Sequence, residues 1–197
     1  MKRWDGLYRE VMECLKEKLS PKLVYHHWKH TEHVVEMAEY IGLKEHCSED
    51  EILLLKTAAL FHDAGFVNPI TDSHEAESIR FAQKKLPEFG YRQHEIDQVI
   101  GMINATKIPQ TPKNKLEGIL ADADLEYLGT DNFIYIGNKL YQELKYENPD
   151  LSINEWNEIQ IEFLENHVYH THYCLHHRAD KKEQNLQDLL HKRPKHY

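Results

Sequence analysis

A chain of 197 residues, 41% hydrophobic and 29% charged, has the make-up of a soluble globular protein with a real core, and one domain over residues 1–197 is expected. Its formal charge of -9 and the absence of a long Lys/Arg block, the short tail Lys192, Arg193 and Lys195 apart, argue against nucleic acid as a partner. No apolar run nears the roughly 20 residues that cross a bilayer, and acidic residues interrupt positions 1–19 where a signal peptide needs an apolar centre, so a cytoplasmic protein without membrane contact is expected.

Periodicity is helical throughout and predicts an all-α fold. Residues 5–19 place Leu7, Val11, Met12, Leu15 and Leu19 on one face before Pro21 interrupts. A second helix is expected to begin near His30 or Thr31 and to carry Val34, Val35, Ala38 and Ile41. The third, 49–63, is apolar on nearly every side from Ile52 to Phe61, as a central helix should be. It ends on His62 and Asp63, just before Gly65. A carboxylate delivered by a buried helix must find a cation, a hydrogen-bond donor or a proton. A divalent metal would satisfy both residues.

Beyond a loop around Asn68 and Pro69, Asp72 and Glu75 resemble a capping box for a helix reaching Leu86, closed by Pro87 and Gly90. Residues 94–105 form the next helix, followed by a loop with Pro109 and Pro112. Asn114 and Glu117 then open a helix through Leu120 and Ala123 to Gly129, with Asp124 beside its apolar stripe. Residues 130–147 follow, and Ser152 with Glu155 caps the helix after Pro149. Residues 169–190 are a last helix with a possible break near Arg178.

Cys14, Cys47 and Cys174 are odd in number and widely spaced, which argues against a disulfide framework or a zinc knuckle and for reduced packing residues. Histidine is the outlier, with 15 copies gathered mainly at 26–33 and 167–177. A lone histidine on an apolar face is more often a core or capping residue than a ligand. His26 and His27 are read equally well as lining a cleft or as exposed, and His33 more simply as surface than as support for His30. Tyr25, Trp28 and Tyr127 read as packing rather than base-stacking positions.

The pieces HTEHVV (30–35), LFHDAGF (60–66) and LADADLEYLG (120–129) occur in an order and at separations that resemble the H...HD...D signature of the HD-domain superfamily of metal-dependent phosphohydrolases. The resemblance covers about residues 25–129 and leaves 130–197 as a C-terminal helical extension. It implies a helical bundle in which His30, His62, Asp63 and Asp124 ligate one divalent ion. Asp122 competes with Asp124 for the last place, and the family pattern favours Asp124. The donor set suits Mn, Fe, Co, Ni, Zn or Mg.

The implied reaction is hydrolysis of a phosphate ester, for instance of a nucleotide, by attack of a metal-bound water. Asp63 would orient or deprotonate that water, and His74, opening the helix after the HD loop, is the second catalytic candidate. Substrate contacts are expected from Arg80, Lys107, His170, Arg178 and Lys181 around a small phosphorylated molecule. Relatives with two metals carry further histidines between the HD pair and the last Asp, where this chain has Ala105-Thr106-Lys107; that departure favours a single metal. Two other readings stay open, a di-iron oxygenase of the same superfamily and a non-catalytic module that uses the metal to bind a phosphorylated ligand.

Overall fold

Helical patterning becomes ten α-helices in a computed structural model that describes residues 3–68 and 72–193, with no strand among those residues. The first six are α1 (Arg3–Lys18), α2 (Trp28–Lys44), α3 (Glu49–Phe61), α4 (His74–Lys85), α5 (Gln93–Ala105) and α6 (Lys115–Leu125). They are followed by α7 (Phe133–Glu147), α8 (Ile153–Asn166), α9 (His172–His177) and α10 (Ala179–His191). No described helix is long and apolar enough to cross a membrane.

The all-round apolarity of α3 puts it at the centre, against α2, α5 and α6. Leu55, Ala58, Ala59, Leu60 and Phe61 are fully buried, and each large side chain among them contributes roughly 1.5–3 kcal/mol by leaving water. At its start Ser48 accepts from the Glu51 N–H while the Glu51 carboxylate accepts from the Ser48 N–H, a reciprocal cap worth about 1 kcal/mol. Ser152 and Glu155 form the same device at α8, as their spacing predicts.

The helices expected from 130 and 169 begin at Phe133 and His172, and three further differences bear on the site. The helix carrying His30 begins at Trp28, because the His27 side chain caps it, so His30 lies in its first turn. The central helix stops at Phe61, and His62 and Asp63 leave it on a turn that tightens into the 3-10 segment Ala64–Val67. α4 is capped by Ser73, whose hydroxyl accepts from the Ala76 N–H, and not by Asp72; this frees Glu75 to face inward. The break at Arg178 is real and separates α9 from α10.

Two apolar clusters result. The larger joins α1 to α6 around α3, and the smaller gathers Leu125, Leu128, Phe133, Ile161, Leu164, Leu186 and Leu189 from the end of α6 and the C-terminal helices. Tyr25 and Tyr127 belong to the smaller cluster, and His30 and Asp124 stand at the seam between the two. Gly65 is required here by close approach rather than by its dihedral angles. A Cβ on it would stand 2.1 Å from the His74 carbonyl oxygen and 2.6 Å from the Ser78 nitrogen. The missing side chain lets the turn after Asp63 sit against the start of α4, where the Gly65 N–H donates to the Ser78 hydroxyl at 2.8 Å.

Candidate metal centre

Three helices and one turn bring the H...HD...D residues together. His30 comes from the first turn of α2, His62 and Asp63 from the end of α3, and Asp124 from the last turn of α6. His30 Nε2 lies 3.1 Å from Asp124 Oδ1 and 3.5 Å from Asp63 Oδ2, and His62 Nε2 lies 3.2 Å from Asp63 Oδ2 and 3.4 Å from Asp124 Oδ1. The two imidazole Nε2 atoms are 3.3 Å apart. One ligand atom each from His30, His62 and Asp124 falls within 4.8 Å of the others, the one such group of three or more among the described residues.

The donor chemistry fits a divalent cation. His62 Nδ1 is 2.7 Å from the Ala59 carbonyl oxygen. A carbonyl can only accept, so Nδ1 carries the proton and Nε2 presents its lone pair to the centre. Asp63 Oδ2 is buried without a hydrogen-bond partner of sound geometry, an arrangement that costs free energy unless a cation meets it. With protons in place of a cation, burial opposes a charged His62 ring, yet Asp63 and Asp124 outweigh it and raise the imidazole well above its ordinary range. Burial likewise works against ionised Asp63 and Asp124, but the facing imidazoles hold both carboxyls low, Asp124 at about 2. A cation would take over the role of those protons, so metal and acid compete.

Around this centre stand groups that the sequence marked only in part. His74 Nε2 is 3.5 Å from Asp63 Oδ1 and 3.5 Å from Glu75 Oε1, and its ring stacks on Phe66 at 4.5 Å. His26 faces inward: Nδ1 pairs with Glu143 of α7, and the ring lies 4.6 Å from Phe66. Burial disfavours the charged His26 ring, but Asp63 and Glu143 raise its pKa overall. Glu143 also accepts from the Tyr25 and His26 N–H groups at 2.9 and 3.1 Å, tying α7 to the segment before α2. Nothing in the sequence separates Glu143 from Glu147, the other glutamate of α7. Glu75 was visible beside His74 but reads there as the partner of a cap.

Asp122 and Asp124, two residues apart, have different duties. Asp122 is fully buried, and its oxygens accept from the His170 N–H at 2.9 Å, the Thr171 N–H at 2.8 Å and the Thr171 hydroxyl at 2.6 Å. It anchors the segment before α9 and points away from the imidazoles.

The expected substrate contacts are scattered. Arg80 pairs with Glu77, Arg178 with Glu126, and Lys181 with Asp131 at 2.6 Å. Lys107 is exposed, and His170 lines a cavity of about 320 Å³ beside Gln110 and His167. A cavity of about 260 Å³ reaches Asp63, His74 and Asp124 directly and continues between Leu140, Trp156 and Phe163.

Residues 27–126, just over half of the chain, match the model of the HD domain family, and the chain belongs to that family. HD domains bind divalent metals and are generally hydrolases. The fold is similar to that of Bacillus subtilis YpgQ, solved in complex with ADP, at a TM-score of 0.67 and 20% identity over 98% of this chain and 96% of that one. It is also similar to a predicted HD superfamily hydrolase from an uncultured Thermotogales bacterium, at a TM-score of 0.54 and 22% identity over 80% of this chain and 88% of that one. No curated protein matches the chain.

Proposed function

We propose that this protein is a phosphohydrolase that cleaves a phosphate ester with one divalent ion held by His30, His62, Asp63 and Asp124. The observation that carries the proposal is the convergence of these four side chains, with Asp63 Oδ2 buried among them within 3.5 Å of both imidazoles and without a hydrogen bond of sound geometry. When bound, the ion supplies Lewis acidity, polarising a phosphoryl oxygen and lowering the pKa of water.

The chain's own groups then handle the proton. Asp63 Oδ1 lies 3.5 Å from His74 Nε2, so a proton drawn from attacking water by Asp63 has an acceptor beside it. His74 passes it to the departing ester oxygen, and Glu75, 3.5 Å from the same nitrogen, stabilises the imidazolium meanwhile. Phe66 stacked on the His74 ring restricts its orientation. The low pKa of Asp124 keeps it ionised throughout the neutral range. The ADP bound to YpgQ supports including nucleotides among the esters to be tried.

The test joins elemental analysis of the purified protein to a screen of phosphate esters with Mn, Mg, Ni and Co. Asp63→Ala should lose both the stoichiometric metal and the hydrolysis while keeping its helical circular dichroism. Hydrolysis that persists in the metal-free variant would end the proposal.

A further inference from the structure

We infer that the 260 Å³ cavity holds the organic part of the substrate and selects a phosphate monoester with a bulky apolar or aromatic group over a polyphosphate. This rests on the phosphohydrolase reading and narrows its substrate class. The cavity is continuous with the centre, because Asp63, His74 and Asp124 form one end of its wall. A phosphoryl group at those residues therefore directs its ester substituent inward.

The far end is apolar. Leu140 and Leu144 from α7 face Trp156, Ile159 and Phe163 from α8 across it. An apolar chamber rewards a ligand in proportion to the apolar surface it buries. Trp156 is 3% exposed, and its indole N–H is buried with no partner. That nitrogen has no surface open to the chamber, so what Trp156 offers a ligand is its aromatic ring.

Charge argues in the same direction. Among the described residues lining the cavity there is no lysine or arginine, whereas Asp63, Glu75 and Asp124 all line it. One divalent ion offsets the charge of the two aspartates and leaves no surplus for a chain of phosphates, each of which needs a cation or a donor. Lys29 and Lys139 line a second cavity, which His30 also borders and which shares the Tyr25 and Tyr127 side chains with the first as a wall. The rings of those tyrosines are 5.9 Å apart. Neither lysine lines the apolar chamber, so a substituent held there meets no cation. A nucleoside monophosphate satisfies this description, and a nucleoside triphosphate does not.

Phosphonates, which are not turned over, separate the cavity from the chemistry. With Mn bound, phenylphosphonate should bind at least tenfold more tightly than methylphosphonate by calorimetry and should change the tryptophan fluorescence. The change should vanish in Trp156→Phe but persist in Trp4→Phe. Leu140→Asn, at the partly buried end of the wall, should shrink the tenfold gap to under threefold while leaving methylphosphonate affinity unchanged. In turnover, phenyl phosphate should exceed ATP at least tenfold in kcat/KM. Equal affinity for the two phosphonates, no measurable binding of either, or a preference for ATP would overturn the inference. Tenfold phosphonate selectivity without hydrolysis of any ester would instead remove the phosphohydrolase reading and leave the cavity assignment standing. Hydrolysis indifferent to the ester group, with equal phosphonate affinities, would do the reverse.

Discussion

The two histidine-rich stretches, 26–33 and 167–177, are similar in composition and opposite in use. In the first, His30 meets Asp63, Asp124 and His62, His26 pairs with Glu143, and His27 caps α2. In the second, His172, His176 and His177 are exposed, with the His176 ring donating to the His172 carbonyl at 2.7 Å. His167 is buried with neither ring nitrogen partnered. The difference lies in what other helices bring. Carboxylates from α3, α6 and α7 face the first stretch, while the one buried aspartate beside the second, Asp122, is already occupied by backbone N–H groups and the Thr171 hydroxyl. Histidine density is therefore no measure of ligation; an opposing set of unoccupied acceptors is.

The most forceful way to break this comparison is to exchange the loss between the stretches. His30→Ala should reduce bound metal from stoichiometric to near zero and reduce phosphate ester hydrolysis by at least about a hundredfold, since a direct ligand matters more than the outer partners of a metal site. His172→Ala should change neither quantity. Metal loss in His172→Ala, read by elemental analysis, would mean that the second stretch contributes to binding after all.

A second contrast sets Asp122 against Asp124. Asp122→Ala leaves the buried Thr171 N–H and hydroxyl and the part-buried His170 N–H without their acceptor, which should cost about 3 kcal/mol of unfolding free energy. Urea denaturation measures that loss, and the metal content should remain stoichiometric. Asp124→Ala should instead lose the metal, because it removes one of the carboxylates that face the His30 and His62 rings. If both variants lose stability and keep metal, Asp124 is not a ligand.

How far the sequence reaches is clear from the same residues. The apolar run of α3, the reciprocal cap at Ser152 and the break at Arg178 are local signals, and each produced the expected structure. Caps one residue apart are not distinguishable from type alone, so Asp72 was indicated where Ser73 acts. The motif placed His30, His62, Asp63 and Asp124 in one group because its spacing already encodes a three-dimensional arrangement. Arg80, Arg178 and Lys181 stand out in the sequence by charge and by their place relative to the motif, and neither reveals that Glu77, Glu126 and Asp131 lie within reach. Glu143 was invisible for the converse reason. Its role arises from a long-range pairing with His26, over 117 residues of chain, that no local pattern carries.

His167 gives the finest test of the contrast, since it is a histidine held in a core without any acceptor. Its ring is edge-on to Tyr169 at 4.7 Å and parallel to Phe163 at 6.0 Å. Burial first, and Lys182 second, push its pKa down to about 3. In the unfolded chain the ring returns to about 6.5. Between these values the unfolded state takes up a proton that the folded state refuses, so the stability that neutral His167 allows is complete above about pH 6.5 and declines as the pH falls toward 3. His167→Leu removes this proton uptake and keeps the ring site apolar. Relative to the wild type, the variant should lose about 3 kcal/mol less unfolding free energy between pH 7 and pH 4, measured by urea titration at each pH on metal-free protein. The same substitution at the exposed His176 should leave the pH dependence unchanged. Parallel curves for wild type and His167→Leu would show that this ring finds a proton-sharing partner, and that burial without an acceptor does not set the second stretch apart.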